Sequence, residues 1–324
     1  MTPPVLTDAA VVAAPFATGG GHAADRGRIA SWAADVALLT RPRIAVMVLA
    51  TVVTAMWLTA GRLDSPIPLV LLLAGTTLVA ASSSIANQIL ERDVDRLMAR
   101  TARRPIASER LSISAAMFAA AATLAAGMIS IIVAAGWRPA IAAAATWVLY
   151  VAAYTPLKRR SPLNTAVGAV AGCLPVAIGW LAAGGPERLA AGDSTGGLAV
   201  AALATILYLW QFPHFMAIAW LYRGQYARAG LRMLTVDDPS GLRAAGQALA
   251  ASLAMIPVSL VLAVPSGSIR LFLAAAVATV VYAVASVGFA VKRDDASARL
   301  LLLTSLGTLL ALLTAAVVLG GPAA

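Results

Sequence analysis

The sequence predicts an all-α integral membrane protein with about nine transmembrane helices, and three observations predict it. Hydrophobic residues make up 60% of the 324, and charged residues only 12%. Mean hydropathy is +0.86. The apolar residues gather in long runs between charged or Pro/Gly breaks. A soluble domain carries about twice that charged fraction, and ordinary core burial does not absorb so much apolar sequence, whereas lipid does. At roughly 20 apolar residues per span, the length has room for about eight to ten spans with short loops.

Residues 1–28, with Pro3, Pro4, Gly19 to Gly21 and many alanines, read as a flexible cytosolic tail. They lack a basic start followed by a sustained apolar stretch, so no cleaved signal peptide is expected. Residues 29–324 read as a single transmembrane domain. Its spans are predicted near 43–60, 66–90, 113–136, 139–156, 163–183, 196–221, 244–264, 269–291 and 299–319. The fourth and fifth are interrupted by Pro156, Pro162 and Pro175. Membrane helices tolerate proline, but it kinks or breaks the hydrogen-bond ladder.

Lysine and arginine set the orientation. One side takes Arg26, Arg28, Arg41, Arg43, six arginines from Arg92 to Arg110, Lys158 to Arg160, Arg223, Arg228, Arg232, Arg243, Lys292, Arg293 and Arg299. That is 20 of the 24, and the other side keeps Arg62, Arg138, Arg188 and Arg270. Positive charge collects on the cytosolic side of multi-span proteins. The N-terminus is therefore expected in the cytosol and, with nine spans, the C-terminus outside. The same rule accounts for the net charge of +10 without a nucleic acid partner. The single cysteine, Cys173, cannot form an internal disulfide and reads as a small buried residue. His22 lies in the tail, whereas His214 lies inside an apolar run.

The most informative stretch runs from Asn87-Gln88-Ile89-Leu90-Glu91-Arg92-Asp93-Val94-Asp95 to Arg103-Arg104-Pro105. It follows an apolar run, so its first part should be the cytosolic end of the second helix. Asn87, Glu91 and Asp95 stand at i, i+4 and i+8, one above another on a single helical face. Three oxygen-bearing side chains in a column suit a hard cation such as Mg²⁺, which takes a few carboxylate oxygens and completes its shell with water and phosphate. Arginines make forked contacts to phosphate oxygens. Carboxylates beside an arginine run therefore describe a diphosphate site better than a solvated helix end.

Two further patches stand on the same side. Tyr154-Thr155-Pro156-Leu157-Lys158-Arg159-Arg160-Ser161-Pro162-Leu163-Asn164 carries three basic residues between spans, which serve as site or as topology signal. Trp210-Gln211-Phe212-Pro213-His214-Phe215 places a histidine inside an apolar run, and it continues through Arg223-Gly224-Gln225-Tyr226 to Ala229-Gly230. Intramembrane ionisable groups are costly and point to function; the bland alternative is a neutral histidine bonded to a backbone carbonyl.

At these residues the chain resembles the UbiA-type intramembrane prenyltransferase superfamily, and within it the haem-farnesylating branch. The matches run from Leu39-Thr40-Arg41-Pro42-Arg43-Ile44 to about Leu234. The acidic motif carries the likeness to the superfamily; Tyr154 to Arg160 and Pro213-His214-Phe215 carry the likeness to the branch. The resemblance implies nine helices around a central cavity with cytosolic caps, in the cell (inner) membrane. It implies Mg²⁺ on Asn87, Glu91 and Asp95, and transfer of a farnesyl group from farnesyl diphosphate to a vinyl carbon of haem B, with water ending as a hydroxyl. Lys158 and His214 join the catalytic set. Arg41, Arg96, Arg100, Arg103, Arg104, Tyr154, Arg159, Asn164, Gln225 and Tyr226 form the substrate-binding set. His214 would contact the porphyrin or its iron, or handle a proton; Tyr150, Tyr154, Trp180 and Trp210 are candidates to shelter an allylic cation.

The one departure is in the superfamily's second acidic motif. A carboxylate usually precedes the tyrosine there, and this chain has Gln225 before Tyr226. One well-held metal, or a weakly held second, is the expectation. Three other readings stay open: an aromatic or quinone-precursor acceptor, a catalytically impaired haem-binding relative, and a transporter. Transport charges usually lie near the bilayer midplane on broken helices, whereas almost every charge here lies at a helix end.

Overall fold

The computed structural model describes residues 32–61, 63 and 65–320. The tail read at 1–28, with His22, lies outside them, as does Arg62. Among the described residues nine helices are long and apolar enough to cross a membrane. They are α1 (Pro42–Ala60), α2 (Pro66–Leu90), α3 (Ile113–Ala135), α4 (Trp137–Leu157), α5 (Asn164–Ala182), α6 (Thr195–Leu221), α7 (Leu242–Val261), α8 (Ile269–Lys292) and α9 (Asp295–Leu319). The chain is a multi-pass membrane protein, with every expected span present.

The differences at helix ends have local causes. α9 starts at Asp295 rather than near 299, because Asp294 and Ser297 cap each other reciprocally and draw the helix into the charged segment. α7 stops at Val261, and the chain turns before Gly267, whose φ of 60° an L side chain adopts only under strain. α4 carries Pro156 by widening into a π-helical turn over Leu149–Tyr154, and the Thr155 hydroxyl donates to the Tyr150 carbonyl at 2.8 Å. α5 takes Pro175 at a break, Asn164–Cys173 and Pro175–Ala182 being separate helical segments.

Sequential helices pack as neighbours, and α9 returns against α6 and α1, so the bundle closes on itself. α2 and α3 approach most closely at Gly75 and Gly127, where a Cβ on either would come within 2.8 Å of the other's carbonyl oxygen. Small residues let membrane helices gain dispersion contacts where no hydrophobic drive exists between them. The main apolar core joins α6 to α7, α8 and α9 through Leu203, Ile206, Met216, Met255, Tyr282, Phe289 and Leu301. The outer surface is apolar too: Phe118, Val133, Val284, Leu303 and Val318 are exposed, as lipid requires.

A short helix over residues 32–40 precedes α1. It is fastened by Arg110, whose guanidinium donates to both Asp35 oxygens, at 3.1 and 2.6 Å. Gln88 fastens its other end, donating from Nε2 to the Leu38 and Leu39 carbonyls at 3.1 Å each. Arg41 then takes a left-handed turn, φ 52°, into α1. Cys173 is only half-buried rather than buried as expected, its thiol against the Val170 carbonyl.

Candidate active site

A cavity of about 420 Å³ opens among the helices. One end is charged, lined by Arg41, Glu91, Asp95, Arg100, Arg104 and Lys158; the other is walled by Val79, Ala143, Pro175, Ile178, Phe215 and Met216. The charged end lies where α2 gives way to the short helix Arg92–Arg96.

The acidic column survives that junction. Glu91 leaves the α2 geometry, yet its N–H still donates to the Asn87 carbonyl at 2.9 Å, and that of Asp95 to the Glu91 carbonyl at 2.7 Å. The i to i+4 ladder continues, and the three side chains stay on one face. Asn87 is 0%, Glu91 8% and Asp95 1% exposed, so the column faces inward and not into headgroups. Glu91 and Asp95 line the cavity, with Asn87 enclosed one turn deeper.

Three cations answer two carboxylates. Lys158 Nζ lies 2.8 Å from Glu91 Oε1 and 4.3 Å from the centroid of the Tyr154 ring. Arg104 lies 2.6 Å from Asp95 Oδ2 and 4.0 Å from Glu91 Oε2. Arg41 adds its charge near Glu91 and Arg104. Burial works against the Glu91 carboxylate, but Lys158, Arg104 and Arg41 together outweigh it and hold the carboxyl below its ordinary value. For Asp95 burial outweighs Arg104, and the carboxyl is pushed up. Burial also opposes the charge on Lys158, yet Tyr154 and Glu91 hold its ammonium above the ordinary value. Lys158 is therefore a fixed positive charge.

A metal fits the column. Asn87 Oδ1 and Asp95 Oδ1 are enclosed and accept no hydrogen bond among the described residues. Asn87 Nδ2 is spent on Thr155 Oγ1 at 3.1 Å, which aims its oxygen the other way. Unpartnered buried oxygens are costly, and a hard cation beside them satisfies both. No group of three or more His, Cys, Asp or Glu among the described residues is arranged to hold a metal; this donor set has two carboxylates and an amide.

The remaining expected residues divide. Arg41, Arg100, Arg104, Tyr154, Asn164, His214 and Tyr226 line the cavity. Asn164 Nδ2 ties Ser161 and Arg232 carbonyls together, and Tyr226 packs with Val94 and Met98. Arg96, Arg103 and Arg159 lie outside the lining, contrary to expectation. Arg96 turns to Glu109 at 2.5 Å on the exposed surface, and Arg103 and Arg159 are exposed. Gln225 is not in the lining either; its Oε1 accepts the Arg100 backbone N–H at 3.5 Å, tying the turns after Arg96 to the short helix Arg223–Arg228. Tyr150 lines the cavity, 5.3 Å from Tyr154, whereas Trp180 and Trp210 pack behind the wall. Sequence reasoning gave Gln211 no role, and it lines the deep end; an amide three residues before an intramembrane histidine was the available signal.

The UbiA prenyltransferase family model matches residues 48–314. The protoheme IX farnesyltransferase of Rhodopirellula baltica is 41% identical over 283 residues, covering 85% of this chain and 96% of that protein. That of Solibacter usitatus is 37% identical, covering 84% and 93%. Among solved structures, digeranylgeranylglyceryl phosphate synthase matches with a TM-score of 0.68 at 13% identity, covering 88% of this chain and 97% of the other. A UbiA homologue from Archaeoglobus fulgidus bound to GPP and Mg²⁺ matches at 0.61 and 17% identity, covering 87% and 99%. These structural likenesses speak for the fold. The family match over most of the chain, with relatives so similar along nearly their whole length, makes this chain a member of the UbiA prenyltransferase family, closely related to the protoheme IX farnesyltransferases.

Proposed function

We propose that the chain transfers the farnesyl group of farnesyl diphosphate to a vinyl carbon of haem B, with water supplying a hydroxyl, to give haem O. One observation carries the reading. A buried acidic column meets Lys158, Arg104 and Arg41 at the mouth of an otherwise apolar chamber, in a chain 41% identical to a protoheme IX farnesyltransferase across 96% of that protein.

Arg41, Arg104 and Lys158 bind and neutralise the donor diphosphate, and Arg100 guards the rim. Asn87, Glu91 and Asp95 would hold Mg²⁺, which would supply Lewis-acid stabilisation of the leaving diphosphate. Lys158, firmly charged, acts as an electrostatic clamp rather than a proton donor. The Tyr150 and Tyr154 rings offer their faces where the allylic carbon gains positive charge. Val79, Ala143, Ile178 and Met216 exclude bulk water, which would capture that cation early. Gln225, uncharged and engaged with the Arg100 backbone, supports a single well-held metal. The lysine and arginine distribution supports a cytosolic mouth in the cell inner membrane, with an odd number of spans placing the C-terminus outside.

The test is mass spectrometry of haems extracted from cells that express the chain. A farnesylated hydroxyethyl haem is expected; its absence, with the protein folded in the membrane, overturns the acceptor assignment.

A further inference from the structure

The deep end of the cavity carries two neutral polar side chains that the donor site leaves unused. Gln211 and His214 stand three residues apart on α6, on one face of the helix, and both line the cavity. Gln211 Nε2 donates to the carbonyls of Ala169, at 3.1 Å, and Leu207, at 3.0 Å. Both amide hydrogens are thereby spent, which leaves Oε1 as the accepting end. Oε1 lies over Gly172, where any Cβ would come within 2.2 Å of it, and Gly172 is part of the cavity wall.

His214 is fixed in a similar way. Its Nδ1 lies 2.8 Å from Ser305 Oγ, and that hydroxyl gives its one proton to the Leu302 carbonyl at 2.6 Å. With that proton committed to Leu302, Ser305 accepts from the ring, which assigns His214 the tautomer with its hydrogen on Nδ1 and a lone pair on Nε2. The ring lies against Trp210, centroids 4.7 Å apart and planes 22° from parallel. Trp210 is itself held by Nε1 donating to the Ser305 carbonyl at 2.7 Å and by its own carbonyl accepting from Tyr282 Oη at 2.8 Å. One turn of α6 thus presents two pre-set hydrogen-bond acceptors to an apolar chamber.

Water is the small molecule whose two donors match them. We propose that Gln211 Oε1 and His214 Nε2 hold the water that becomes the product hydroxyl, and that His214 takes its proton. The inference rests on the haem B acceptor reading above. In that reaction the allylic C–O bond breaks and its electron pair leaves with the diphosphate. The vinyl π electrons form the new C–C bond to the farnesyl carbon, leaving a cation on the vinyl carbon next to the porphyrin ring. A lone pair of the held water forms the C–O bond to that carbon. The O–H bond facing His214 breaks, its electrons stay on oxygen, and the proton goes to Nε2. Without this step the cation sheds a proton instead, and the product lacks one water. The pair therefore decides between hydration and elimination.

The experiment uses the full-length protein in lipid nanodiscs with farnesyl diphosphate, Mg²⁺ and haem B, and resolves products by mass. The wild type is expected to give the hydroxylated adduct. His214→Ala is expected to form that adduct about a hundredfold more slowly, the scale of a lost general base, with a rising share of an adduct lighter by one water. Gln211→Leu shifts the ratio in the same direction. Ser305→Ala, which releases the ring tautomer, shifts it less and decides the matter if His214→Ala fails to fold; unchanged affinity for the donor reports folding. Variants that slow all products but keep the wild-type ratio overturn the water site alone. A wild type that binds donor but leaves haem unmodified overturns the acceptor reading and this inference with it.

Discussion

The two ends of the chamber handle polarity in opposite ways. At the mouth, charges face charges: Lys158 on Glu91, Arg104 on Asp95, with Arg41 behind. At the deep end the working groups are neutral, and their hydrogens are committed to backbone carbonyls or to Ser305. The difference follows from solvation. Near the membrane surface, counter-charges and an incoming diphosphate repay the removal of ions from water, whereas a lone charge in the apolar interior is costly. The mouth is thus built to grip an anion, and the deep end to stay neutral until a proton arrives.

The largest effect that tests this contrast is at Glu91. Glu91→Gln keeps shape and removes charge, and farnesyl transfer measured with excess Mg²⁺ should fall by about 10²–10³-fold, the scale of losing a transition-state electrostatic contact. Unchanged turnover would take the acidic column out of the reaction. Next is the pairing itself. Lys158→Met removes the nearest counter-charge of the buried Glu91 carboxylate, leaving Arg104 at 4.0 Å and the more distant Arg41, and should cost on the order of 3 kcal/mol of stability, read as a lower unfolding midpoint in detergent. Adding Glu91→Gln to Lys158→Met should restore much of that midpoint while activity stays lost. A double variant no more stable than Lys158→Met would show that the two charges are not a coupled pair.

Two glycines one turn apart on α5 sharpen the comparison with smaller effects. A Cβ at Gly168 would come within 2.8 Å of the Tyr154 ring, and one at Gly172 within 2.2 Å of Gln211 Oε1. Each alanine forces a side-chain shift worth about 1–3 kcal/mol. Gly168→Ala, acting at the mouth, should weaken donor binding by about tenfold. Gly172→Ala, acting at the deep end, should lower turnover with donor affinity unchanged. If both variants change the same parameter, the ends are not separate.

What the sequence made legible follows from distance along the chain. The column Asn87, Glu91, Asp95 was readable because helical geometry alone stacks i, i+4 and i+8. The spans were readable because lipid demands long apolar runs. The arginines were not separable, since residues 97–112 fold back as turns, and which guanidinium points inward depends on what the loop lands on. Arg104 of that segment lands on Asp95, whereas Arg96, at the end of the preceding short helix, is met by Glu109 from the segment, a distinction that no periodicity encodes. Gln211 escaped for a related reason. Its role needs Gly172 and the Ala169 carbonyl from α5, and only the packed bundle brings these beside it.

The smallest expected effect falls on the arginines that turned outward. Arg96 shares an exposed pair with Glu109, and exposed pairs contribute between nothing and about 1 kcal/mol. Arg96→Ala and Arg103→Ala should leave donor affinity and turnover within about twofold of the parent, on the scale of ordinary surface substitutions. Arg104→Ala, a near neighbour in sequence, removes the guanidinium 2.6 Å from Asp95 and should abolish most activity. Steady-state kinetics on the three variants separates a focused clamp from a diffuse basic field. Equal losses at Arg96 and Arg104 would mean that the diphosphate responds to the total charge of the loop, and the division into an inward and an outward set would fail.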